Sequence, residues 1–160
     1  MNLTHAPLRA ATGAFILNSG ISKLGADAET AAQTHGFAAT AYPQIKDMDA
    51  GQFTKLLAVG EIALGTALLT PKVPSAVAGT ALTGFGVGLL GLYFRVPGMR
   101  QADGIRPTQQ GVPIAKDVWL LGAGATLGWQ GFVNGTRRAA RKAAKKVGSA
   151  TETAQEALPF

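Results

Sequence analysis

Four long apolar stretches, separated by polar segments rich in turn residues, set the pattern of this chain. The third is the clearest: Val73 to Phe94 carries no charge for 22 residues. As a helix it would be about 33 Å long, enough to cross a bilayer core. The fourth is uncharged from Val118 to Thr136, between Asp117 and Arg137. The second lies between Lys55 and Lys72 and is interrupted only by Glu61, inside LLAVGEIALGTALL. The first, Leu8–Leu24, is the most polar, since Arg9 and Lys23 stand about 21 Å apart along a helix. Those two side chains must snorkel outward or find partners. The pattern predicts an all-α integral membrane four-helix bundle, with spans over residues 8–24, 53–70, 73–94 and 116–135. A soluble bundle would need polar outer faces, and spans three and four have no charged face. The first stretch does not read as a cleaved signal peptide: three spans follow it, and Lys23 stands where small residues should precede cleavage.

The connections differ in length. Gly25–Gln52 is long and contains ADAETAAQTHGFAATAYP, a surface helix stopped by Pro43. Thr70–Pro71–Lys72 is very short, which makes spans two and three an antiparallel hairpin. Val96–Ala115 is punctuated by prolines and glycines and should form ordered turns. Past Thr136 the chain is rich in Ala, Lys and Arg and predicts a basic helix lying at the membrane surface. The chain therefore divides into a transmembrane domain, 1–136, and a basic tail, 137–160. With both termini on one side, that side holds Arg9, Lys72 and six tail cations, against seven Lys/Arg on the other. The six tail cations follow the last span directly, where the positive-inside rule weighs them most. This predicts a multi-pass membrane protein with cytoplasmic termini, a short cytoplasmic hairpin and a long extracytoplasmic loop.

Composition narrows the chemistry. Charged residues make up 15% of the chain and hydrophobic ones 47%, against roughly 25% charged in ordinary soluble domains. The absence of cysteine excludes disulfides, thiol catalysis and thiolate-bound metals. His5 and His35 fall outside the spans, so no haem or metal site is expected, and no enzymatic activity of its own. The six clustered cations Arg137, Arg138, Arg141, Lys142, Lys145 and Lys146 suit anionic lipid headgroups. No aromatic or base-reading element accompanies them, so nucleic acid is not an expected partner.

Small residues align on the predicted helices. Gly13 and Gly20 share a face with Arg9 and Lys23, and Gly65 flanks Glu61. Gly84, Gly88 and Gly91 line up with Arg95, and Gly124, Gly128 and Gly131 with Asp117. Stripes of this kind mark helix–helix contact in membranes and would turn the ionisable groups toward the bundle interior. Arg95 and Asp117 end two stripes at the same level and are expected to pair. Glu61, about 9 Å deeper than Lys55, must be neutral or partnered. Lys23 is the preferred partner and Arg9 the alternative. The candidate ligand-binding or ion-pair set is Glu61, Lys23, Arg9, Lys116, Asp117 and Arg95.

The segments LRAATGAFILNSGISKLG, AVGEIALGTALLTPKVPS, GLLGLYFRVPGMR and GVPIAKDVWLLGAG, in this order and spacing, resemble the DoxX family of small four-helix bacterial membrane proteins. The resemblance covers Leu8 to Trp129, and the tail lies outside it. The matching positions are Arg9, Gly20, Lys23, Glu61, Gly65, Lys116 and Asp117. It implies association with quinol-linked, sulfur-oxidising or oxidative-stress membrane complexes. Lacking cysteine and redox ligands, this chain would take part only through a partner or a bound quinone.

Three functions compete. The first expectation is a non-catalytic accessory subunit of a larger respiratory or redox membrane complex, packed against other membrane subunits or its own copies. The alternative is a quinone- or lipid-binding protein in an oxidoreductase system. Its inter-helix pocket would surround Glu61, with Lys23, Lys116 and Asp117, and Trp119 and Tyr93 near the membrane interface. A small transporter is the third, and one intramembrane acid without an inverted repeat supports it thinly.

Overall fold

Six helices, α1 (Ala6–Leu24), α2 (Ala28–Ala41), α3 (Ala50–Leu69), α4 (Ser75–Arg95), α5 (Val112–Ala115) and α6 (Val118–Glu156), follow one another along the chain. The structure is a computed structural model that describes residues 5–156, with side chains to residue 149. Among the described residues there is no strand, only an isolated bridge between Arg100 and Pro107. Local polar residues set the helix ends. The Asp27 carboxylate accepts from the Thr30 N–H, and that of Asp49 from the Gln52 N–H, both at 2.8 Å. These N-caps satisfy donors that the first turn leaves unpaired. The Thr30 N–H holds the Asp27 carboxyl below its ordinary range. Pro71 and Pro74 confine the α3–α4 turn, and α4 stops just ahead of Pro97.

The long helices pack as two antiparallel pairs, α1 with α3 and α4 with α6. In the first pair, a Cβ on Gly65 would lie 2.6 Å from the Leu17 nitrogen, and one on Gly20 would lie 2.8 Å from the Ala58 oxygen. Gly13 meets Leu68 and Leu69 in the same way. In the second pair, a Cβ on Gly79 would run into the Gly128 backbone, and one on Gly131 into the Ala76 backbone. Gly124 is pressed against Thr83, and Gly86 against Leu121. Ile16, Leu68, Leu82, Leu120 and Leu127 are fully buried and knit the two pairs into one core.

The α4 seam differs from the expected one. A Cβ on Gly84 or Gly88 would meet nothing within 4 Å, so these two glycines do not pack a helix. Gly91 faces the Tyr42 hydroxyl of the long connection, where a Cβ would collide. The face against α6 is Gly79, Leu82 and Gly86, on the far side of α4 from the Gly84–Gly91 stripe. Both faces carry glycines at helical spacing, and spacing alone does not tell which one meets a neighbour.

The basic tail also departs from expectation. It does not begin a separate surface helix at Arg137, because α6 runs unbroken for 39 residues, about 58 Å. Ala139, Ala140, Ala143 and Ala144 are strong helix formers, and no proline interrupts them.

Two helices, Ala50–Leu69 and Ser75–Arg95, are long and apolar enough to cross a membrane. Only 28% of each apolar window is buried within the protein, so most of their apolar surface faces outward. Leu56, Val59, Val77 and Val87 are each more than half exposed on their outer faces. The connection after α4 forms ordered turns, as its prolines and glycines indicate, and adds the short α5. Gly98 and Gly104 take positive φ there, 82° and 73°. Arg100 donates to the Gly104 and Phe94 carbonyls, and Asp103 pairs with Arg106.

Candidate functional site

At the end that carries the long connections, α2 packs against α3 and α4. This leaves a cavity of about 840 Å³ bounded by α1, α2, α3, α4 and the α5–α6 junction. Its walls are apolar: Phe15, Phe37, Phe53, Leu57, Phe85 and Leu89 are among them. Gly84 and Gly88 line it too, which explains why a methyl group at either position would meet open space. Tyr42 reaches over from the end of α2 and donates to the Gly88 carbonyl at 2.7 Å, passing through the room that Gly91 leaves free. The residues that cap the cavity, Phe37 and Tyr42, were not singled out from sequence. Their helix was legible, but nothing in its pattern said over which groove it would fold.

Two carboxylates reach this apolar space. Glu61 is 3% exposed, and its Oε2 accepts from Lys23 Nζ at 2.9 Å. Lys23 also donates to Ser19 Oγ at 2.7 Å. Gly20 lets α1 approach α3 closely enough for Lys23 to bend one turn inward and meet the acid. Glu61 also borders a second, lateral groove of about 540 Å³ between the outer faces of α3 and α4, lined by Leu57, Gly60, Ala63, Ala67 and Phe85. Its carboxylate thus stands where the interior cavity and the lateral groove meet.

Asp117, immediately before α6, is 8% exposed and lines the main cavity. Among the described residues no hydrogen bond or ion pair holds its carboxylate. Lys116, its neighbour in the chain, is exposed at the cavity edge and acts on it only through space. The expected Arg95–Asp117 ion pair is not formed. Arg95 is exposed and turns toward α2, with its guanidinium 5.1 Å from the centre of the Tyr42 ring and an N–H at 3.5 Å from the Ala41 carbonyl. Tyr42, at the end of α2, gives Arg95 an aromatic surface in place of the carboxylate. Tyr93 is buried and donates to the Ile105 carbonyl at 2.6 Å. Trp119 meets Phe15 edge-on at 5.6 Å.

Arg9 does not approach Glu61. Because α1 runs antiparallel to α3, Arg9 lies level with Leu68, about 10 Å from the acid along the helix axis. Its Nε donates to the Leu68 carbonyl at 2.7 Å, and Nη2 to those of Ala67 and Thr70. Nη1 donates to the Val73 carbonyl and to Ser75 Oγ. All five guanidinium donors are engaged. Arg9 closes the C-terminal end of α3, whose last carbonyls have no partner within the helix, and the positive charge suits that helix end. Single-sequence reasoning gives no signal for such a cap, since its acceptors are main-chain oxygens 58–64 positions away.

Set against family models, curated proteins and solved structures, the chain gives no significant match. Among the described residues no cluster of His, Asp and Glu could hold a metal ion. What the site offers is an apolar chamber of small-molecule size with one paired and one unpaired carboxylate.

Proposed function

We propose that this chain is a four-span bacterial plasma-membrane protein of the DoxX kind, with cytoplasmic termini, that binds an amphipathic small molecule in the chamber beneath α2. The Asp117 carboxylate, which has no partner among the described residues and opens onto a largely apolar cavity, carries this reading. A ligand that donates a hydrogen bond or brings a positive group would give this carboxylate the partner that the chain does not supply. Quinol- and lipid-like molecules have the required form, an apolar body with a polar head. The groove between α3 and α4 gives such a molecule a route from the hydrocarbon to Glu61. Lys23 and Glu61 orient the head, and the chain supplies binding and no redox chemistry of its own.

Filling the chamber tests this. Gly88→Leu projects into open space, so the fold should persist. Protein purified in mild detergent is extracted and its bound small molecules quantified. The wild type should carry one amphipathic molecule at near-stoichiometric amount, and Gly88→Leu less than a fifth of it. Equal content in both proteins, or none in either, would rule the reading out.

The accessory-subunit role remains the second reading, supported by α6. From Thr136 to Lys146 every side chain of that helix is exposed, a surface available to another subunit. Native electrophoresis after gentle extraction should then show a larger complex, and migration as the free chain would count against it.

A further inference from the structure

A second cavity lies at the opposite end of the molecule, where α1 begins and the short α3–α4 turn sits beside α6. It has a volume of about 310 Å³, and its lining includes His5, Arg9, Lys72, Ser75, Asn134 and Arg138. We propose that this pocket binds a phosphate group, presented either by an anionic phospholipid or by a soluble phosphate.

Its floor is held rigidly. His5 Nε2 lies 2.7 Å from Gln130 Oε1, a carbonyl oxygen, so this nitrogen carries the proton. Nδ1 therefore accepts from Ser75 Oγ at 3.0 Å, and Ser75 in turn accepts from Arg9 Nη1 at 3.1 Å. The chain of bonds ties α1, α4 and α6 together beneath the opening. It spends the donors of Arg9 but leaves its charge uncancelled, because every acceptor is a neutral oxygen. Lys72 and Arg138 add two cations at the rim with their side chains exposed and free to close on a ligand.

Among the described residues no carboxylate balances these three charges. The lining contains no Asp or Glu, and between Glu61 and Glu152 the only acids are Asp103 and Asp117, both at the far end of the molecule. A polyatomic anion is therefore the complementary ligand, and phosphate suits a mixed Lys and Arg site with an amide and a hydroxyl beside it. The pocket also lies where α6 changes from apolar to basic. Trp129 and Phe132 are more than half exposed just before Arg137 and Arg138, the sequence of side chains expected at headgroup level.

Native mass spectrometry of the full chain in detergent tests the site, with phosphatidylglycerol and phosphatidylcholine offered separately and inorganic phosphate in a third arm. Two double variants remove equal charge: Lys72→Gln with Arg138→Gln at the pocket, and Lys145→Gln with Lys146→Gln two turns along α6. Arg9 is left intact because it closes α3. The expected result is at least fivefold weaker binding of phosphatidylglycerol or of inorganic phosphate in the pocket variant, and less than twofold change in the tail variant. Loss in the lipid arm assigns the phosphate to a phospholipid, and loss in the inorganic arm to a soluble anion. Equal loss in both variants would show a diffuse field without a site and overturn the proposal. So would unchanged binding in the pocket variant, or equal affinity for phosphatidylcholine.

Discussion

The two ends of this molecule are built from opposite materials. The end with the long connections carries seven cations, Lys23, Lys46, Lys55, Arg95, Arg100, Arg106 and Lys116. It also carries seven acids, Asp27, Glu29, Asp47, Asp49, Glu61, Asp103 and Asp117. The hairpin end carries Arg9, Lys72 and the six tail cations, with no acid before Glu152. The balanced end is hollow, with a large apolar chamber and a carboxylate that nothing holds. The basic end has a smaller, polar pocket, beside an arginine saturated by four main-chain oxygens and the Ser75 hydroxyl. The charge of Arg9 is satisfied within the chain, whereas the Asp117 carboxylate opens onto the chamber with no partner among the described residues. In the proposed function the second is the place where a ligand binds.

Removing Arg9 should do the most damage. Arg9→Met strips hydrogen bonds from four carbonyls and a serine at once, and a loss of about 3 kcal/mol or more is expected from the unsatisfied acceptors. Unfolding in a detergent titration would measure it. A change no larger than that of an exposed substitution would remove the contrast between the two ends.

Glycines sharpen the comparison next. Gly79→Ala forces backbone apart in the α4–α6 seam and should cost roughly 1–3 kcal/mol. Gly84→Ala points into the chamber and should change stability by less than about 0.5 kcal/mol. Thermal denaturation of the two variants side by side distinguishes them, and equal effects would mean that the chamber wall is itself a packed seam.

The Lys23–Glu61 pair should rank third. A double-mutant cycle with Lys23→Met and Glu61→Gln is expected to return a coupling of about 1 kcal/mol. Lys23 keeps access to water and so loses less than a fully enclosed partner would. Additive single effects would place the acid's partner elsewhere.

Acid sensitivity should be the smallest effect, and confined to one end. The Thr30 N–H holds the Asp27 carboxyl below its ordinary range, and Arg106 with main-chain N–H groups does the same for Asp103. A carboxyl lowered in the folded state stabilises above its unfolded value, about pH 4, and that stabilisation fades as pH falls through the folded value. Hydrogen exchange below pH 4 should therefore quicken first in the α2 start and the 98–107 turns. Residues 70–74 should stay unchanged, because the hairpin contains no carboxylate to titrate.

Much of this was legible from residue order. The uncharged run from Val73 to Phe94 marked α4, the Thr70–Pro71–Lys72 turn marked the hairpin, and spacing preferred Lys23 over Arg9 as the partner of Glu61. What escaped depended on choices between equal patterns. Gly79 with Gly86, and Gly84 with Gly88, carry the same signature, and only the neighbour's position tells seam from cavity wall. The fold of α2 over the chamber, the five hydrogen bonds of Arg9 and the turn of Arg95 toward Tyr42 all rest on three-dimensional neighbours. No local period encodes them.

In the proposed arrangement the two ends face opposite sides of a bilayer. Because the chain has no cysteine, single cysteines can report it. Gln101→Cys places one at the balanced end and Lys72→Cys one at the basic end, both at exposed positions. Labelled in intact bacterial cells with a membrane-impermeant maleimide, Gln101→Cys should react, and Lys72→Cys should react only after the membrane is opened. Labelling of both positions in intact cells, or of Lys72→Cys alone, would contradict the account.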